Sequence, residues 1–214
     1  MERVSEKLTQ RVPSTRFGIS HESIKRLALS EDLIADILEV LDSSETLDQQ
    51  FALCFAEELL DLGRLSSTQE ARFVSRLRQL FTEGDRVIRS RALNLLVRFN
   101  YRVANFRALI LEALKSASSD VRAVALRGYE ICCNPKEVEP LEEFEHDGFF
   151  GEIAMGGPLV FDLRDQALET IERVIGVGFT RTRKSEAVQN GQSASFYSWE
   201  PFHKWNAKRG QRWF

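Results

Sequence analysis

Long apolar runs are missing from this chain of 214 residues. None reaches the roughly 18 residues that cross a bilayer, so no membrane span is expected. The opening stretch MERVSEKLTQRVPSTRF carries charge but no apolar h-region, which argues against a signal peptide. Cysteine is scarce and odd in number: Cys54, Cys132 and Cys133, the last two adjacent. That set suits neither a disulfide framework nor a zinc site and reads as reduced thiols in a cytoplasmic protein. Histidine is limited to His21, His146 and His203, and no CxxC, HExxH or GxSxG occurs. No cofactor, metal ion or catalytic residue is therefore expected. Alternating β-branched residues are rare, and helix formers dominate, as in an all-α chain.

Charge of one sign is also missing in places. Residues 31–61 hold ten Asp or Glu and no Lys or Arg, and residues 64–127 hold thirteen bases against five acids. Residues 130–176 return to twelve acids against three bases, and the last 38 residues carry seven bases against two acids. An ordinary solvated helix mixes signs, so blocks of this kind predict a banded surface.

What is present is self-similarity. Ile88-Arg89-Ser90-Arg91-Ala92-Leu93 matches Val121-Arg122-Ala123-Val124-Ala125-Leu126, and both match Leu163-Arg164-Asp165-Gln166-Ala167-Leu168. The shared alanines fall 33 and then 42 positions apart, a period typical of stacked helical repeats. Ile88, Ala92, Leu95, Leu96 and Phe99 share one helical face, and its small Ala lets a neighbouring helix approach. An Asp precedes two of the copies (Asp120, Asp162), placed to cap the helix and to accept from the Arg of a neighbouring repeat.

These residues resemble the second helix of HEAT-type repeats, over roughly residues 31–176. The resemblance implies a short right-handed α-solenoid of about four helical hairpins, with Asp and Arg forming a ladder along the stack. It implies no activity. HEAT-like enzymes that excise alkylated bases use Trp, Asp and Arg in a basic cleft. Here all three Trp lie in the tail, so that role does not carry over. Likeness to bilin lyases rests on the repeat pattern alone.

The expected organisation is an arm over 1–19, a repeat domain over 20–178 and an irregular aromatic and basic tail over 179–214. Ser20 starts a short first helix, and Ser30 caps the next. Capping boxes are read at Thr46/Gln49 and Ser67/Glu70, with stops at Gly63, near Gly84 and at Gly176. Asn134-Pro135 starts a further helix, which Pro140 kinks or delays. Residues 147–161, with four Gly and one Pro, form an insertion loop. The stretch VQNGQSAS reads as a flexible link.

Three candidate surfaces follow. The acidic band is Asp32, Asp36, Glu39, Asp42, Glu57, Glu58 and Asp61, suited to a basic protein partner or simply to solvation. The basic face is Arg86, Arg91, Arg98, Arg102 and Arg127, suited to phosphates or an acidic partner, or to ion pairs inside the stack. The loop and tail anchors are Phe149, Phe150, Trp199, Trp205 and Trp213, which either grip a partner or cap the array. The function read from these surfaces is a non-catalytic protein-binding module in the cytoplasm, such as a toxin-neutralising immunity protein or an adaptor. The alternative is a nucleic-acid-binding or DNA-base-modifying HEAT-like protein that uses the central Arg face.

Overall fold

The computed structural model describes residues 14–15, 18–19, 30–99, 105–133, 137–147, 150–152, 160–187 and 193–210. The chain is mostly helical with little strand, and no described helix is long and apolar enough to cross a membrane. It divides into two compact units, Met1–Ala104 and Asn105–Phe214. The division falls inside the expected repeat domain, and the tail groups with the second unit. The short helix expected from Ser20 lies outside the described residues.

The first unit begins with a two-stranded ladder, β1 (Ser14–Thr15) on β2 (Gly18–Ile19). Four helices follow: α1 (Glu31–Leu41), α2 (Thr46–Asp61), α3 (Ser67–Glu83) and α4 (Arg86–Arg98). They form two hairpins, α1 on α2 and α3 on α4, and like helices also pack together, α1 on α3 and α2 on α4. The two hairpins bury the same positions. Leu33, Ile34, Ile37, Val40 and Leu41 of α1 recur forty residues later as Phe73, Val74, Leu77, Leu80 and Phe81 of α3. Ala52, Leu53, Phe55 and Ala56 of α2 recur as Ala92, Leu93, Leu95 and Leu96 of α4, again forty on. Ala52-Leu53 is thus an earlier copy of the Ala-Leu pair on which the sequence repeat rests.

Helix ends follow local chemistry, with two corrections. Ser30 caps α1, its hydroxyl accepting from Leu33 N at 3.2 Å. The capping box of α3 sits one residue earlier than expected, at Ser66 and Gln69 rather than Ser67 and Glu70. Ser66 holds the extended backbone that a cap requires. The box expected at Thr46/Gln49 does not form. Thr46 is instead the first helical residue, and its hydroxyl donates to Asp85 Oδ2 at 2.6 Å across the hairpins. Asp85 also caps α4, accepting from Val87 N and Ile88 N. The Ile88 N–H, then the Thr46 hydroxyl, hold its carboxyl below the usual range. Gly84 is needed for space: a Cβ there would lie 2.6 Å from Leu80 O and 2.7 Å from Ile88 Cγ2.

The second unit contains α5 (Phe106–Leu114), α6 (Ser119–Cys132), the single turn α7 (Glu139–Glu142) and a 3-10 turn (Glu143–His146). Then come β3 (Phe150–Glu152), β4 (Val160–Asp162) and α8 (Leu163–Ile175). The unit closes with β5 (Arg183–Ala187), β6 (Ser193–Tyr197) and α9 (Glu200–Gly210). α6 packs between α5 and α8. The buried alanines recur, as Ala125 on α6 and Ala167 on α8. In three hairpins the last buried residue of the first helix precedes the buried Ala of the second by eleven positions: Leu41 and Ala52, Phe81 and Ala92, Leu114 and Ala125.

Other expectations are corrected here. α6 opens after Ser118, so Asp120 lies inside the helix and does not cap it. Pro140 sets the start of α7 at Glu139, and residues 134–136 lie outside the description. The expected insertion loop is closed by an antiparallel ladder, Phe150 opposite Asp162 and Glu152 opposite Val160. The expected flexible link is partly strand: β5 and β6 pair from Arg183/Tyr197 to Ala187/Ser193. Asn190-Gly191 lies between them, a two-residue signature of tight hairpins.

The Arg shared by the three sequence copies has a structural role. Arg89 Nε donates to Phe81 O at 2.9 Å, and Arg122 Nη1 donates to Ser116 O at 2.8 Å. Both tie the second helix of a hairpin to the carboxyl end of the first. Arg164 instead pairs with Asp162, both nearly fully buried, at 2.8 Å. The expected bond from Asp162 to the Arg of a neighbouring repeat is therefore not made by this pair.

Candidate functional site

Placing the acidic band on the helices separates its members. On α1, Asp32 and Glu39 are exposed and Asp36 is half-buried. Asp42, just past the end of α1, pairs with Arg76 Nε at 2.6 Å, while Arg76 Nη2 donates to Leu41 O at 2.9 Å. The Nε–H is not aligned for a hydrogen bond, so its contact with Asp42 is one of charge. On α2, Glu57 and Asp61 both meet Arg98, and Asp61 accepts in two-pronged fashion at 2.8 and 2.7 Å. Glu58 is half-buried on the same helix.

The basic face is divided likewise. Arg98 is taken up by the two α2 carboxylates, and Arg91 Nη1 lies 3.3 Å from Cys54 Sγ and 3.4 Å from Gln50 O. Arg86 is exposed on the first turn of α4. Arg127 is exposed on α6, which belongs to the second unit, and Arg102 lies outside the described residues. The acidic and basic blocks of the first unit thus meet across its hairpins, with partners 34 to 41 positions apart.

The same pairing recurs in the second unit. Glu57 stands five positions after Ala52, and Arg98 six after Ala92; Glu130 stands five after Ala125, and Arg173 six after Ala167. Arg173 Nε donates to Glu130 Oε1 at 2.7 Å. An acid from one hairpin and a base from the next therefore occupy equivalent positions in both units.

Among the described residues, two grooves on the first unit stand out. The larger, about 580 Å³, runs between α1 and α3, lined by Leu38, Asp42, Arg72, Ser75, Arg76 and Gln79 among others. The smaller, about 100 Å³, lies between α2 and α4, with Cys54, Glu57, Arg91 and Asn94 on its walls.

The tail anchors are spent largely on packing. Trp199 is 2% exposed and meets Phe202 edge-on at 5.7 Å. Trp205 is half-buried and stacks on Phe202 at 6.2 Å, with Phe179 edge-on to both. α9 is tied down by His203 to Glu145 at 2.8 Å and Asn206 to Glu142 at 2.9 Å. Phe149 and Trp213 lie outside the described residues, and of Phe150 only the strand position is described.

Sequence reasoning missed the outward face of the β5–β6 hairpin. Arg181 and Arg183 lie over the Tyr197 ring at 4.7 and 4.8 Å from its centroid. First Arg181, then Arg183, holds the Tyr197 phenol below its ordinary range. The available signal was the alternation Thr180-Arg181-Thr182-Arg183, which has the period of a strand with one basic face.

Chemistry-bearing groups elsewhere are subdued. Burial pushes the thiols of Cys132 and Cys133 up and the phenol of Tyr129 up to about 12. Among the described residues no group of three or more His, Cys, Asp or Glu is placed to hold a metal ion. Comparisons with protein families, curated proteins and solved structures find no match for this chain.

Proposed function

We propose that the protein is a non-catalytic protein-binding module of the cytoplasm, a short right-handed α-solenoid of HEAT-like hairpins that captures a basic protein partner. An immunity protein that blankets a toxin, or an adaptor, is the form this takes. The observation that carries the reading is on α1. Asp32 and Glu39 stand exposed on a helix without a single base. Glu57 and Asp61 of α2 are already answered by Arg98, so the partner surface centres on α1 and not on the whole acidic band. Exposed carboxylates of one sign steer a basic partner and speed its association.

The test is affinity capture from cells that express the gene, followed by binding measurements on the captured protein. A basic partner should bind the wild type and lose at least about tenfold in affinity to Asp32→Lys/Glu39→Lys, with a marked salt dependence. A captured partner indifferent to that double variant would refute the surface. Tight binding of DNA or RNA with a steep salt slope, lost in Arg86→Glu, would instead favour the nucleic-acid reading.

A further inference from the structure

The β5–β6 hairpin presents two faces of different character. In its register Arg183 stands opposite Tyr197, Lys184 opposite Phe196 and Ser185 opposite Ser195. Phe196 is buried, with the Arg164 guanidinium stacked on its ring at 3.6 Å, so that face is turned inward. Alternation then turns Arg183, Ser195 and Tyr197 together to the other side. The placement is firm: Tyr197 N donates to Asp165 Oδ1 at 2.6 Å, and Ser198 N donates to Thr182 O at 2.8 Å.

We propose that Arg181, Arg183, Ser195 and Tyr197 form a receptor for a phosphate dianion. The Arg183 guanidinium is exposed and its strong bonding capacity is unused. Its contacts are 3.5 Å to Ser195 O and Oγ and 3.4 Å to Tyr197 Oη, at the weak limit of hydrogen bonding. A guanidinium offers five N–H donors in a fork that fits phosphate oxygens. The two hydroxyls beside it can each turn a proton toward the same anion. Arg181 is already aimed, held by Glu169 at 2.8 Å and Glu172 at 2.6 Å, and supplies a second positive charge over the Tyr197 ring. Two cations gathered at one phenol repel each other, and a dianion between the donors relieves that repulsion. The increased acidity of Tyr197 comes from hydrogen bonding by Arg181 first and by Arg183 second, with the carboxylates of Asp165, Glu169 and Glu172 nearby. The phosphoryl group has two possible sources, free inorganic phosphate or a phosphorylated side chain.

The experiment titrates the full chain at low ionic strength with inorganic phosphate, with a phosphoserine peptide and with acetate as a monoanion control. Phosphate or the phosphoserine peptide should saturate while acetate does not. Saturation by inorganic phosphate assigns a free anion, and saturation by the peptide alone assigns a chain-borne phosphoryl group. Arg183→Gln should weaken binding at least about tenfold, as loss of a charged donor does, whereas Lys115→Gln should leave it unchanged. A second readout is the phenolate absorbance near 295 nm. Bound phosphate should raise the pH at which Tyr197 ionises, and Tyr197→Phe should remove that step. Failure of both phosphate probes to saturate at about tens of millimolar, or undiminished binding by Arg183→Gln, would overturn the proposal. The site lies apart from α1, so either outcome leaves the capture experiment above independent.

Discussion

Arg98 reaches back one hairpin to Glu57, and the register that joins them, five positions after one buried Ala and six after the next, also joins Glu130 to Arg173. A double-mutant cycle over Glu57→Ala and Arg98→Ala measures the link. The side chains are 36% and 41% exposed, so the coupling should be modest, about 0.2–1 kcal/mol, and should shrink in high salt. Urea unfolding at two salt concentrations checks it, and a salt-independent coupling would contradict an ion pair.

The alanine seam gives a larger effect. Ala92 is fully buried, and α2 packs against the helix that carries it. Ala92→Leu should destabilise the protein by about 1–3 kcal/mol through overpacking, while Ala71→Leu on the exposed side of α3 should change stability by less than about 0.5 kcal/mol. Denaturant midpoints of the two variants separate these outcomes.

Asp162 and Arg164 are 6% and 4% exposed and bonded to each other. Asp162→Ala removes the carboxylate that pairs with a buried guanidinium and should cost about 3–5 kcal/mol. Replacing both residues by apolar ones should cost less than the single change, since the charge then goes with its partner. Thermal or urea unfolding of the single and double variants decides it.

Tyr129 donates its hydroxyl to Glu137 O at 2.8 Å, and burial raises its phenol to about 12. The unfolded phenol ionises near 10, so the folded state keeps a proton that the unfolded state releases. The stability from this group is complete below pH 10 and is lost as pH rises through 10 to 12. Tyr129→Phe should flatten that part of the stability profile and lower stability at neutral pH by about 1 kcal/mol, for the lost hydrogen bond.

Much of the helical framework was legible because burial follows a period of 3.6 and the Ala-Leu copies recur. The copy at Ala52-Leu53 escaped notice because Asp48 and Gln49 replace the apolar-Arg pair that precedes the later copies. The failed cap at Thr46 shows a hydroxyl that serves a carboxylate 39 residues away and not its own helix, a choice set by tertiary contact. The charge blocks were visible in the sequence. Their mutual pairing was not, because it depends on which residues the stacking of hairpins brings together. The β5–β6 face was hidden by its polar composition.

The one-sided charge of residues 31–61 bears on how synthesis proceeds. Residues 31–61 hold ten carboxylates and no base, and on a growing chain the six bases of residues 1–30 precede them. The bases that pair with these carboxylates in the fold, Arg72, Arg76 and Arg98, leave the ribosome after them. Translation that stops before Arg98 would release a fragment in which Glu57 and Asp61 lack the base that answers them in the fold.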